Sequence, residues 1–135
     1  MKIAYWNRGI FRGQGGAEVC AAQLLNALCR RGETCFLLAH CPDKNAAGTA
    51  IQDLDDRITV YQGHFANPLD NPTGPFDVVA RSVRYLFSSM ALLVWLSRRR
   101  VQVIHLHFVN LDVLLLLAFK RLLGYRLVVT FHGME

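Results

Sequence analysis

The chain has 135 residues, the length of one domain with one core. Hydrophobic residues make up 53% of it and charged residues 19%, which excludes an intrinsically disordered chain. The formal charge of +5 is uneven: residues 81–126 hold eight Arg and Lys against Asp112 alone, a net +7 that suits an anionic partner and equally a set of solvated helix ends.

The N-terminus turns polar at Asn7-Arg8, too soon for a secretory signal peptide. The longest uninterrupted apolar runs, Met90–Leu96 and Val113–Phe119, have seven residues each, where a membrane span needs ~20. The expectation is a cytosolic chain that does not cross a bilayer. Cys20, Cys29, Cys35 and Cys41 form no CxxC pair and read as buried free thiols of a reducing compartment.

Taken in order, Ile3–Trp6 is a short apolar strand that runs into a Gly-rich loop, Arg8–Gly16. Ala17–Arg31 follows with Ala21, Leu24, Leu25 and Leu28 at helical spacing; Glu18 opens it, Arg30 and Arg31 close it, and Gly32 stops it. Cys35–Ala39 is apolar throughout, as a strand buried on both faces must be. Pro42–Gly48 reads as loop and Ile58–Tyr61 as a third strand. Gln62–Phe76 holds three prolines and two glycines and predicts a long loop, of the kind that is usually functional. A long helix is predicted over Asp77–Arg99, a strand over Val101–Leu106, a helix from Asp112 to Gly124 and a fifth strand over Leu127–Thr130.

Apolar strands alternating with helices predict an α/β fold, a doubly wound parallel sheet of Rossmann-like type, as one domain over 1–135. In such sheets ligands gather at the carboxyl ends of the strands. That rule selects the loop after Trp6, the segment His105–Asn110 and His132-Gly133. Gly15 and Gly16 sit where a helix N-terminus offers unpaired N–H groups to an anion, and they equally suit a tight strand-to-helix turn. The spacing is not that of a GxGxxG dinucleotide site, and no acid ends the second strand, so a nicotinamide cofactor is not expected. His105 and His107, two apart on a strand, share a face. With His132 they form a three-histidine zinc site in one reading and a sugar-binding set in another. Satisfied histidines at strand ends remain the plain alternative. No recognised motif interleaves the basic residues with exposed aromatics, so a nucleic-acid partner is not expected.

Three segments then resemble one family. Gly15-Gly16-Ala17-Glu18 with its helix to Arg30-Arg31-Gly32 resembles the first βαβ unit of family 4 retaining glycosyltransferases. Val103-Ile104-His105-Leu106-His107 is similar to their fourth-strand motif, and Val128–Gly133 to their VxTxHG element. The resemblance implies half of a GT-B enzyme that needs no metal or other cofactor and takes a nucleotide-diphospho-sugar as donor. It implies further that Gly15 and Gly16 reach the diphosphate, that His132 sits by the transferred sugar as the catalytic residue, and that this domain binds the acceptor, a glycan or a lipid-linked one. His107, His105 and Asn110 are the acceptor-side candidates. Polysaccharide biosynthesis, on the cytoplasmic face of an anionic membrane, is the setting expected.

The departures from the family are specific. The donor glutamates of the family lie in a second domain; here Glu18, Glu33 and Glu135 are the only glutamates, with no E-x7-E pair. The chain is therefore expected to be the acceptor-side part of a transferase, without its C-terminal donor domain and inactive alone. Glu33-Thr34 and Val101-Gln102 also depart, away from the expected site. Two other readings compete: a stand-alone module for a phosphorylated or sugar ligand, and a zinc hydrolase built on the three histidines.

Overall fold

The apolar runs become β1 (Lys2–Asn7), β2 (Thr34–His40), β3 (Thr59–Gly63), β4 (Val103–Leu106) and β5 (Arg126–Val129), joined through α1 (Gly16–Arg30), α2 (Pro75–Arg99) and α3 (Leu111–Leu123). The computed structural model describes residues 1–7, 16–40, 54–63, 65, 68, 72–107 and 111–130. Gly15, Asn110, His132 and the predicted loop Pro42–Gly48 lie outside the described residues.

All strand pairs are parallel, in the order β3-β2-β1-β4-β5. A parallel sheet of this kind must be covered on both faces, and the two apolar clusters divide accordingly. On one face Tyr5, Cys35, Leu37 and Ala39 pack against Ala21, Leu25 and Cys29 of α1. On the other, Ala4, Trp6, Phe36, Leu38, Ile104 and Leu106 meet α2 and α3 through Leu92, Leu93, Leu96, Val113 and Leu116. This is the doubly wound fold that the alternation of elements implies.

Helix endings explain why the chain turns where it does. Gly32 (φ +83) and Gly124 (φ +71) close α1 and α3 in the left-handed conformation that glycine adopts without strain. Arg100 does the same for α2 with φ 53, its N–H reaching the Leu96 and Ser97 carbonyls. Val101 then donates its N–H to Leu96 O at 3.2 Å, so it belongs to the cap of α2 and the strand starts two residues later than its composition implies. Lys2 adds a cation at the same helix end, with Nζ 2.9 Å from the Arg99 carbonyl.

Several sequence expectations need correction. Leu24 is exposed, and the buried stripe of α1 runs instead through Ala21, Ala22, Leu25 and Cys29, with Leu28 partly covered. Cys20 is also exposed, because it lies on the outer side of that helix; Cys29 and Cys35 are buried free thiols, and Cys41 lies outside the described residues. Burial and the neighbouring Cys29 push the Cys35 thiol up to about 11, so it stays protonated and inert. The stretch Gln62–Phe76 is shorter as a loop than its prolines imply: β3 runs to Gly63, Phe65 enters the core against Trp6 with ring centroids 4.7 Å apart, and α2 starts at Pro75.

Candidate functional site

The strand order reverses between β1 and β4: from β1 the chain winds outward through β2 and β3, and then returns to the other side of β1. At such a switch point the loops leaving the two central strands part and open a crevice at their carboxyl ends. The structure therefore picks the ends of β1 and β4 over the other strand ends, which the sequence treated alike.

At the end of β1 the chain leads to α1, whose first residue is Gly16. Among the described residues a side chain at Gly16 would meet nothing within 4 Å. The free N–H groups of that turn and the positive end of the helix dipole favour an anion there. Across the switch, His107 follows β4 directly and donates its N–H to Trp6 O at 3.4 Å.

His105 and His107 do share a face, as their spacing requires, with ring centroids 5.5 Å apart. The residue that unites them is Tyr5, which the sequence reading passed over. The register sets Tyr5 directly beside His105 on the neighbouring strand. Its ring lies 4.9 Å from each histidine ring, edge-on to His105 and tilted to His107. Tyr5 is wholly buried, and its hydroxyl has no hydrogen-bond partner among the described residues. The signal was present only as a tyrosine in an otherwise apolar strand; which histidine it meets depends on the register of two strands about 100 residues apart, which no local pattern encodes.

His105 Nε2 lies 2.7 Å from Thr130 Oγ1, just past β5. Burial holds its imidazole below the usual histidine value, so it is neutral at neutral pH. His107 is also enclosed, with 5% of its surface exposed. The two rings are thus parts of a packed polar cluster with Tyr5 and Thr130 beneath the carboxyl edge, and neither stands free in solvent. Among the described residues no three His, Cys, Asp or Glu side chains converge, and His132, the third histidine of the zinc reading, is not one of those residues.

Residues 14–135, which include all three motifs, match the family model described as Glycosyltransferase Family 4. The chain belongs to glycosyltransferase family 4. In fold, this family 4 chain is similar to apo UGT2 of Phytolacca americana, with a TM-score of 0.60 and 17% identity over 99% of this chain and 30% of that one. It is also similar to a UGT transferase from Siraitia grosvenorii in complex with UDP, with a TM-score of 0.52 and 16% identity over 96% of this chain and 27% of that one. At these identities the likeness is one of fold: the α/β sheet is a Rossmann-like unit of the GT-B architecture, and the chain spans under a third of either structure. No curated relative matches it in sequence.

The two departures from the family pattern fall at the opposite, amino edge of the sheet. The Glu33 carboxylate pairs with the Met1 ammonium, and Gln102 Oε1 accepts the Lys2 N–H at 2.9 Å. Both residues hold the amino ends of the strands together, far from the switch point.

Proposed function

We propose that this chain is the acceptor-binding domain of a nucleotide-sugar-dependent, retaining glycosyltransferase that builds a polysaccharide on a glycan or lipid-linked acceptor. The match to family 4 over residues 14–135 carries the reading, and the fold supports it with a strand-order switch point between β1 and β4.

In this reading the N-terminus of α1, with Gly15 and Gly16, takes the donor diphosphate on backbone N–H groups. The acceptor lies over the ends of β1 and β4, with His107, His105 and Asn110 on its side. His132 follows Thr130 by two positions in the chain and steadies the transferred sugar as its bond to phosphate breaks, by a contact made in the transition state. The diphosphate leaving group accepts the acceptor's proton, so His132 orients and does not serve as base. The complex of a fold neighbour with UDP supports a nucleotide sugar as the donor class.

His132→Ala in the full-length enzyme tests this. Losing a transition-state contact of ~3 kcal/mol lowers kcat roughly a hundredfold with the melting temperature unchanged. Near-native kcat in His132→Ala, with His107→Ala inactive and folded, would move the role to His107. The 135-residue chain alone should transfer no sugar, because too few groups would meet the diphosphate; turnover by the purified chain would overturn its assignment as an acceptor half.

A further inference from the structure

The helix α2 has two apolar faces, and the sheet uses one. Leu92, Leu93 and Leu96 go into the core. Phe76, Val79, Val83, Leu86, Phe87, Met90 and Val94 are all exposed, Phe76 by 89% and Phe87 by 73%. Their spacing of three and four residues gathers them into one stripe about 100° wide along 3.6 residues per turn. Next to it, Tyr61, Trp95 and Ala91 continue the apolar surface into a shallow groove with Arg98 at its rim. Monomeric soluble proteins rarely leave an apolar surface of this extent uncovered.

Its charge identifies what covers it. Arg84 lies along α2, and Arg98, Arg99 and Arg100 close it, all exposed, with the Arg99 guanidinium 5.6 Å from the centre of the Trp95 ring. The acid of the helix, Asp77, is paired with Arg81 at 2.9 Å. Arg100 is the more telling residue. It occupies the left-handed cap position that glycine fills after α1 and α3, at a cost of about 1–2 kcal/mol in backbone strain. A second copy docking on the same face would bring these cations against one another.

By length and composition α2 is apolar enough to cross a bilayer: its 25 residues include an 18-residue stretch with a mean hydropathy of 1.3. It does not span, because β3 before it and β4 after it belong to one sheet, which keeps both its ends on the same side.

We propose that α2 lies in the surface of an anionic lipid bilayer, with its outer stripe among the acyl chains and Arg84, Arg98, Arg99 and Arg100 among the phosphates. The contact follows from α2 alone; its use, keeping the domain at the surface that carries a lipid-linked acceptor, rests on the acceptor-side reading. Of the large apolar residues of α2, Phe87 faces outward, Leu93 is spent on the core and Trp95 is shared between the two.

Flotation of the purified chain with vesicles tests the contact, since aggregates sink. The chain should float with vesicles of equal parts phosphatidylcholine and phosphatidylglycerol, less so as salt rises, and hardly at all with phosphatidylcholine alone. Leu86→Asp with Phe87→Asp should abolish flotation, and Arg98→Gln with Arg100→Gly should weaken it by roughly tenfold or more, both with native circular dichroism. Equal flotation with both vesicle types, or flotation untouched by the paired aspartates, would overturn the proposal. So would a dimer by light scattering that Phe87→Asp dissociates while flotation persists. The assay needs no turnover: a chain that floats while the full-length enzyme transfers no sugar would sink the acceptor-side reading alone.

Discussion

The side chain of His105 is tied to that of Thr130 across the β4–β5 pair, Nε2 to Oγ1 at 2.7 Å. The bond joins two segments that the family motifs treat separately, and it fixes the His105 ring beside Tyr5. A neutral imidazole serves it with either tautomer, because the threonine hydroxyl both donates and accepts.

That pairing predicts a pH dependence. His105 has its folded-state value depressed below 6.5 by burial, and the groups that face it among the described residues, Tyr5, His107 and Thr130, include no carboxylate that would favour its charge. The unfolded chain therefore takes up the proton first as pH falls, so stability is full above about 6.5 and declines below it. Urea midpoints between about pH 7.5 and pH 5.5 should fall less in His105→Gln than in the parent. Parallel slopes in the two proteins would refute the assignment.

Tyr5→Phe should not destabilise the domain. A buried hydroxyl without a partner costs ~1–3 kcal/mol, and its removal leaves the ring contacts with both histidines in place. We expect unchanged stability or a gain of about 1 kcal/mol by chemical denaturation. A loss larger than that would mean the hydroxyl is hydrogen-bonded in the native protein.

Two glycines should answer differently to a side chain. Gly32→Ala should cost about 1 kcal/mol, since its φ of +83 strains any Cβ. Gly16→Val meets no described atom within 4 Å and should leave stability within about 1 kcal/mol of the parent, since valine has a slightly better helix propensity than glycine. In the full-length enzyme the same Gly16→Val should raise the KM for the nucleotide sugar severalfold, by blocking approach to the backbone. Normal kinetics would reduce Gly16 to a turn residue.

Arg100→Gly should separate stability from membrane binding. Relief of the left-handed strain should raise stability by about 1 kcal/mol, while one lost cation weakens vesicle binding about fivefold. Thermal melts and flotation of this single variant check both halves, and a variant that gains stability with undiminished binding would remove Arg100 from the lipid contact.

The fold was legible because its signals are local. Continuous apolar runs such as Cys35–Ala39 cannot be satisfied outside a doubly covered sheet, and Gly32 and Gly124 mark helix ends whose geometry demands them. Leu24 falls outside the buried stripe of α1 because leucines at helical spacing do not say which flank the sheet will take. The start of β4 was misplaced because Val101 has strand composition but is drawn into the cap of α2.

The sequence by itself determined the alternation of strands and helices, the shared face of His105 and His107 and the excess of positive charge in residues 81–126, because each depends on residue type and spacing along one segment. The tertiary structure decided that Tyr5 is the ring between the histidines, that Thr130 holds His105, that the switch point lies between β1 and β4, and which of the apolar residues of α2 face outward. Those facts depend on strand order and register between distant segments, which are set by the packing of the whole sheet and leave no mark in any single stretch of chain.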